Sequence, residues 1–449
     1  MYSVKIAKFI SSIEYESIPK EVILRAKELM LDTIGVAIAG SSEKSVINAI
    51  RSISCLTNSK GKAKIWGHSK KFAPNYSAMI NAISSHALDF DDTHTEAIVH
   101  ASSILTPLCL TYASHFKISN KRILTAFIVG WEVAARVGIV SKGSFHKRGF
   151  HTTSIAGIFG ATAAMSVLFS LRESECVNAF GLAGSFASGI NEFLSNGSNS
   201  KVIHVANCVN NAILATTFAK NGMSGPISVF EGRDNIFKTF GIEKECNKEL
   251  LLQDLGKNWQ VMQVSLKPYP SCHFTHGFIE CALMLREDNL NPDDIKNIKC
   301  YVDEVPISFI CDPIDKKYAP KTTYEAKFSM PFLMALAFFD GYINLSSYNN
   351  LERSEVIKFA KKITYIKHIS SGFPKYFPGH IEVILSNGKT IKKDIFVNRG
   401  NFDNPLSFEE IFLKFKNCSL SKLDTENILK IAEIIKNYEN SKENLELFL

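Results

Sequence analysis

The sequence lacks several features that would assign it to a specialised class of protein. Its ten cysteines are widely spaced, with no CxxC pair, so the spacing predicts neither a zinc knuckle nor a disulfide framework. No arginine-rich arm or basic block accompanies the net charge of +7, which argues against nucleic-acid binding. No internal repeat or low-complexity segment is evident. The thiols are therefore expected to be reduced and mostly buried in an intracellular protein.

Two segments bear on localisation. The N-terminal stretch MYSVKIAKFISSIEYE has no apolar signal core, and its glutamates argue against a transit peptide, so the cytoplasm is the expected location. The charge-free run at residues 152–171 is about long enough to span a bilayer. Small and hydroxylic residues dilute that run and no aromatic belt flanks it. A buried central helix is therefore expected there, and no membrane association.

Hydrophobic periodicity divides the 449 residues into a large helical part and a smaller mixed part. Apolar residues at helical spacing, as in residues 19–38, predict helices as far as about residue 260, and Ser407 is in position to cap another. In the intervening region the segment IKNIKCYVDEV alternates as a strand does, and Asn387-Gly388 joins two alternating runs like a hairpin turn. The prediction is a mainly α fold with an inserted α+β lid: a discontinuous helical domain, 1–264 and 398–449, and an α+β domain, 265–397.

The stretch HALDFDDTHTEAIVH, residues 86–100, concentrates three histidines and four acidic residues. A metal site is one alternative, with nitrogen and oxygen ligands offered by His86, Asp89, Asp91, Asp92 and His94. On a helix His86 and Asp89 would share a face, but a dedicated metal helix would repeat its ligands at i and i+4. A solvated surface is a second alternative, although Leu88 and Phe90 lie among the acids and favour burial. The favoured interpretation is acid–base chemistry by an aspartate and a histidine at a helix end and in the loop that follows.

Three further segments carry candidate side chains. In GFHTTSIAG, His151 precedes a helix whose free N–H groups can bind carboxylates and whose dipole favours neutral imidazole. In NSKVIHVAN, Lys201 precedes an apolar helix, although a lone lysine is ordinarily a surface residue. In SLKPYPSCHFTHG, prolines stiffen a loop that holds Lys267, Cys272 and His276. A thiol nucleophile there is a weaker alternative, because no orienting acid is evident nearby.

Five motifs, taken in this order, resemble the MmgE/PrpD family: SSHALDFDDTH with a following VHAS, GFHTTSIAGIFGA, SKVIHVAN, LKPYPSCHFTHG and YEAKFSMPF. That family includes 2-methylcitrate dehydratase, cis-aconitate decarboxylase and iminodisuccinate epimerase. The resemblance implies a discontinuous helical domain with an inserted α+β lid and an active site between them. It also implies a homodimer that needs neither a metal nor an organic cofactor.

The resemblance carries the family's site residues onto this sequence. They are the catalytic Asp89, His100 and His151, and the substrate-binding Thr93, Lys201 and Lys267. Cys272 and His276, in the loop after Lys267, are also predicted to bind the substrate. Family substrates are small di- or tricarboxylates in which a proton α to a carboxylate is moved. Lysines would hold such anions, and neutral imidazole can take a proton near pH 7 and return it. Which histidine is the base and which the acid stays open.

Two positions depart from the pattern of the cis-aconitate decarboxylases. Those enzymes place a histidine where this chain has Cys272, and a tyrosine where it has Met330. The departures favour a hydro-lyase that dehydrates a 2-methylcitrate-like substrate. The alternatives are a cis-aconitate-type decarboxylase, an isomerase or epimerase of a dicarboxylate, and a catalytically silent binding or assembly protein.

Overall fold

The chain folds into two units, each assembled from separate stretches of sequence. The computed structural model describes residues 1–57, 61–116, 118–368, 372–443 and 445–449. The first unit comprises Met1–Glu192, Ser200–Leu266 and Ser407–Leu449, and the second comprises Phe193–Asn199 and Lys267–Leu406. Helices dominate and the sheets are small, so the predicted fold class, mainly α with a smaller α+β part, is confirmed.

The helices and strands are numbered here in chain order. The α-helices are α1 (Tyr2–Ser12), α2 (Lys20–Gly40), α3 (Lys44–Leu56), α4 (Pro74–His86), α5 (Ser102–Pro107), α6 (Asn120–Ser141), α7 (Ser144–Lys147), α8 (Thr152–Leu168), α9 (Glu173–Phe186), α10 (Phe193–Asn196), α11 (Lys201–Lys220), α12 (Ile236–Phe240), α13 (His276–Glu287), α14 (Glu304–Ile310), α15 (Ile314–Tyr318), α16 (Thr323–Lys327), α17 (Met330–Asp340), α18 (Ser354–Ala360), α19 (Phe408–Ser419) and α20 (Thr425–Lys436). The strands are β1 (Ala63–Lys64), β2 (Lys71–Phe72), β3 (Thr93–His94), β4 (Val264–Ser265), β5 (Ile295–Val302), β6 (Ile363–Lys367), β7 (Gly379–Leu385) and β8 (Thr390–Ile395).

Helix α8 lies at the centre of the first unit. Every one of its residues is buried, as predicted for a central helix, and it packs against α6, α9 and α11. Small residues allow the close approach of α6 and α8, because a Cβ added at Gly160 would lie 2.5 Å from the Gly130 carbonyl oxygen. The N-terminus of α8 is thereby held at a fixed place inside the helical body.

Two helices in the described part of the chain are long and apolar enough to cross a membrane, namely α6 and α11. In α6, 94% of the most apolar window is buried within the structure, and in α11 the share is 56%. Burial of this kind is also what core helices show. Length and composition alone therefore assign neither helix to a bilayer.

The segment between α4 and α5 forms a short, buried loop in the first unit. Helix α4 ends at His86, and β3 then pairs antiparallel with β4. A bridge between His94 and Val99 turns the chain back towards α5. Further along, Ser407 caps α19, as predicted: its hydroxyl oxygen accepts from the Glu410 N–H, and the Glu410 carboxylate accepts from the Ser407 N–H.

The second unit contains a four-stranded sheet in the order β6-β5-β7-β8. Strand β5 is parallel to β6 and antiparallel to β7, and β7 is antiparallel to β8. Residues of β7 alternate in burial, and α13 packs against that strand. The β7–β8 connection contains the predicted hairpin turn, where Gly388 has a φ of +85° that suits glycine.

Candidate functional site

Five histidines from separate segments of the first unit lie together, and we call them the histidine cluster. His86 ends α4, His100 precedes α5, His146 lies in α7, His151 is the N-cap of α8 and His204 is in the first turn of α11. The ring of His86 lies 5.3 Å from that of His100 and 5.7 Å from that of His151, centroid to centroid. The His151 ring lies 6.3 Å from His100, 6.1 Å from His146 and 5.2 Å from His204. The fold therefore brings imidazoles together that are far apart in sequence.

The backbone sets the tautomer of His100. Its Nδ1 lies 2.6 Å from the carbonyl oxygen of Asp92, and a carbonyl oxygen only accepts hydrogen bonds, so Nδ1 carries a proton. The Thr93 hydroxyl oxygen is 3.2 Å from the same Nδ1, and the His100 N–H donates to Thr153 Oγ1 at 3.2 Å. In its neutral form His100 therefore presents Nε2 as a lone pair, which can accept a proton.

Asp89 and Lys201 form a buried ion pair. Lys201 Nζ donates to Asp89 Oδ2 at 3.2 Å, and the two residues are 5% and 2% exposed. Asp89 does not share a helix face with His86, because α4 has already ended and Asp89 has a φ of +54°. Aspartate tolerates this left-handed conformation better than most residues. The pairing holds the ammonium group at the N-terminus of α11.

Asp91 holds the ring of His86. The Nδ1 of His86 donates to Asp91 Oδ2 at 2.6 Å, and the Ser103 hydroxyl donates to the same oxygen at 2.6 Å. Both members of the His86–Asp91 pair have fully buried side chains. Among the residues that the structure describes, none hydrogen-bonds to His86 Nε2. His86 is therefore a third oriented imidazole, next to His100 and His151.

The carboxyl group of Asp92 is buried in an environment that favours its protonated form. Burial raises its pKa well above the usual value, and the neighbouring Asp91 and Asp32 raise it further against the opposing effects of Ser102 and Lys414. Its backbone carbonyl orients His100, as described above. The three aspartates of the motif DFDDTH thus pair with an ammonium group, hold an imidazole and provide a buried carboxyl group.

His151 has the environment of a neutral imidazole. Burial lowers its pKa well below the usual value, and the nearby ionisable groups of His204, Lys201 and other histidines lower it further. Burial also lowers the pKa of His204 to about 4 and that of His146 to about 3, with Lys201 acting in the same direction on both. These three imidazoles are neutral near pH 7 and can accept a proton when a polyanion binds beside them.

His151 and His204 contact one another through the same ring atom. Their Nδ1 atoms are 3.0 Å apart, so one of the two carries the proton and donates it to the other. The His151 backbone N–H donates to the Gly189 carbonyl at 2.9 Å, which holds the residue at the start of α8. This hydrogen bond and the contact with His204 fix the position of the His151 ring.

The second unit holds the remaining predicted residues. Lys267 is fully buried, Cys272 is 8% exposed, and the fully buried His276 begins α13. The Cys272 N–H donates to the Lys327 carbonyl at 2.9 Å. Met330, the other departing position, is buried at the start of α17. The roles of Lys267, Cys272 and His276 stay predictions.

The structure thus brings Asp89, Thr93, His100, His151 and Lys201 together around one histidine cluster. Sequence reasoning treated His86 and Asp91 only as potential metal ligands and did not single out His146 or His204. One signal was available for His204, which lies one helical turn after Lys201 in the same motif. In the described part of the chain, no group of three or more His, Cys, Asp or Glu residues is arranged to hold a metal ion.

Comparison with known proteins places the chain in a family. The model of the MmgE/PrpD N-terminal domain matches residues 4–249, and that of the C-terminal domain matches residues 269–440. The chain is 26% identical to the cis-aconitate decarboxylase-like protein oryM of Aspergillus oryzae, over 99% of this chain and 95% of the relative. It is 26% identical to the human cis-aconitate decarboxylase, over 93% and 88%, and 25% identical to that of Aspergillus terreus, over 96% and 92%. These matches extend over nearly the whole sequence, and the chain belongs to the MmgE/PrpD family.

Proposed function

We propose that this protein is a lyase that decarboxylates a small unsaturated tricarboxylate of the cis-aconitate type. The observation that carries the proposal is the pair of imidazoles His100 and His151, whose rings lie 6.3 Å apart. Lys201 is close enough to this pair to lower the pKa of His151. The names of the curated relatives support decarboxylation over the dehydration that the sequence departures favour.

Binding of the substrate relies on positive charge and hydrogen-bond donors. Lys201 provides an ammonium group. The electrostatic attraction between this group and a carboxylate about 4 Å away is on the order of 4 kcal/mol at an effective dielectric constant of about 20. Desolvation of both groups cancels much of that gain. The Thr93 hydroxyl and the N-terminus of α8 supply further donors for carboxylate oxygens. Lys267 is proposed as a second cation for the same substrate.

The chemical step is a carbon–carbon bond cleavage followed by protonation at carbon. The bond to one carboxylate breaks, carbon dioxide leaves, and the electron pair remains on the substrate. An imidazolium then donates its proton to carbon, so each turnover takes up one proton from solvent. His100 and His151 are the proposed proton-transfer groups, and each such group typically contributes about 10²–10⁴-fold to the rate.

A direct assay tests this proposal. The purified protein is incubated separately with cis-aconitate, 2-methylcitrate, citrate and iminodisuccinate, while carbon dioxide release and the absorbance of unsaturated products are followed. We expect carbon dioxide from cis-aconitate. Absence of turnover with all four compounds would defeat the proposed substrate class.

Dehydration of a 2-methylcitrate-like substrate is the second candidate, supported by Cys272 and Met330 at the two departing positions. An alkene formed from 2-methylcitrate without carbon dioxide release would select it. Solvent deuterium in recovered or inverted substrate, with no alkene, would instead select an isomerase or epimerase. A homodimer is part of the proposal as well, and light scattering on the eluting protein tests it.

A further inference from the structure

The contact between His151 and His204 differs from the contacts of the other oriented imidazoles. The Nδ1 atoms of His86 and His100 face the Asp91 carboxylate and the Asp92 carbonyl, which accept hydrogen bonds. The Nδ1 of His151 instead faces another imidazole at 3.0 Å. An imidazole accepts a proton at one nitrogen and releases one from the other, so this contact is suited to proton transfer.

His204 lies closer to the surface than His151. The two residues are 8% and 3% exposed, and the neighbouring Ile203 is 55% exposed. Gly189 packs against His204, since an added Cβ would lie 3.2 Å from the imidazole Cγ, and the next residue, Ile190, is 58% exposed. His204 is therefore the more exposed of the two imidazoles that share the Nδ1–Nδ1 contact.

The proposed decarboxylation requires protons to pass from solvent to the buried His151, and this inference rests on that proposed function. Each turnover consumes one proton, while His151 and His204 are buried and neutral at rest. A proton therefore has to reach the buried ring of His151 from solvent in each turnover. His204 is the imidazole in hydrogen-bond contact with that ring.

We propose that His204 is a relay that passes a proton from solvent to His151 in each turnover. A solvent or buffer acid protonates His204 at Nε2, and the Nδ1 proton of His204 moves to Nδ1 of His151. The Nε2 proton of His151 then moves to the substrate carbon. Each imidazole forms one N–H bond and loses another, so neither keeps a charge. After product release, proton exchange with water at both rings restores the starting tautomers.

Chemical rescue of a relay-deficient variant tests this assignment. We expect His204→Ala to lower kcat on cis-aconitate by about 10²-fold in weak buffer, in the range typical for loss of one proton-transfer group, with little change in KM. Added imidazole should restore kcat in a saturating manner. A kcat that is unchanged in weak buffer would overturn the relay, and so would a loss that imidazole does not repair in protein with a native circular dichroism spectrum.

Two variants separate a relay from a purely positioning role. His204→Asn retains a polar group that can hydrogen-bond to His151 but cannot transfer a proton, so a relay predicts a kcat as low as that of His204→Ala. Recovery of full activity in His204→Asn would show that His204 only positions His151. His94→Gln, which removes a buried histidine outside the cluster, serves as the control and should show no dependence on added imidazole.

A spectroscopic measurement keeps this test separate from that of the proposed function. In protein labelled with nitrogen-15 histidine, we expect a scalar coupling across the hydrogen bond between the two Nδ1 atoms, which His204→Asn abolishes. Absence of the coupling overturns the relay whatever the activity. If wild-type protein shows the coupling but decarboxylates none of the compounds, the proposed function is overturned. The relay in this reaction is then overturned as well.

Discussion

The Lys201 ammonium donates to the Asp89 carboxylate at 3.2 Å and thereby joins the first turn of α11 to the loop after α4. Both groups are buried, so neither is compensated by bulk water. The pair has a cost in desolvation, and Asp89 adds the strain of a left-handed backbone conformation. Such costs are typical of a site that has to keep a cation ready for an anionic ligand.

Removing the anion of this pair should destabilise the protein. We expect Asp89→Asn to lower the free energy of unfolding by about 3–5 kcal/mol, because an uncompensated ammonium group stays buried. Urea denaturation measures the change. Glu16→Gln is a matched control, since it removes the anion of the exposed Lys121–Glu16 pair and should have no measurable effect. Equal stabilities of the two variants would contradict the assignment of a compensated buried charge.

The two proposed proton-transfer histidines should matter for rate more than for binding. Replacing either His100 or His151 by Gln should lower kcat by about 10²–10⁴-fold, because a proton-transfer group is lost while Lys201 remains. Steady-state kinetics with cis-aconitate gives kcat and KM separately. His115→Gln, at a partly exposed histidine outside the cluster, should behave like wild type. If activity survives both substitutions unchanged, the acid–base assignment is wrong.

Acid should unfold the protein through the histidine cluster. The folded-state pKa of His204 is about 4 and that of His146 about 3, whereas an unfolded histidine titrates near 6.5. Below about pH 6.5 the unfolded state therefore binds more protons, so stability is complete above that pH and decreases as the pH falls towards 4. The slope is up to about 1.4 kcal/mol per pH unit for each such histidine.

Urea denaturation from pH 8 to pH 4 measures this dependence. His146→Gln and His204→Asn should each flatten it, because each removes one group whose protonation favours the unfolded state. His115→Gln should leave the slope as in wild type, since that histidine lies outside the cluster. Slopes that are the same in all four proteins would contradict the claim that the cluster controls acid stability.

The buried His86–Asp91 pair should be worth more than a similar pair on the surface. Asp91→Asn leaves the His86 Nδ1 and the Ser103 hydroxyl with a weaker acceptor, and we expect a loss of roughly 1–3 kcal/mol in unfolding free energy. Asp394→Asn is the matched control, because His380 and Asp394 pair at 2.8 Å in an exposed position. The control should change stability by about 0.5 kcal/mol or less. A larger loss in the control would argue against burial as the source of the effect.

The two departures from the decarboxylase pattern can be reversed. The double variant Cys272→His with Met330→Tyr restores the residue types that the resemblance assigns to those enzymes. We expect it to raise kcat/KM for decarboxylation of cis-aconitate relative to dehydration of 2-methylcitrate. Competition between the two substrates in one reaction measures the ratio. An unchanged ratio would show that these positions do not select the reaction.

Local sequence patterns were sufficient for much of the secondary structure. The alternation in β5, the turn at Asn387-Gly388 and the cap at Ser407 depend on residues close together in the chain, and the structure has all three. Near Pro19 the prediction was one residue early, because α2 begins at Lys20 and Pro19 precedes it as the N-cap. Helix ends depend on caps and local hydrogen bonds, which periodicity does not resolve.

The order of the amino acids determines the helical and strand segments, the motifs and the family to which they belong, because periodicity, capping and motif spacing are properties of neighbouring residues. The histidine cluster depends on the folded chain, since packing around α8 brings His86, His100 and His204 next to His151. Its protonation likewise depends on the fold. Burial and the charge of a distant lysine lower the imidazole pKa values, and neither burial nor distance can be read from a linear sequence.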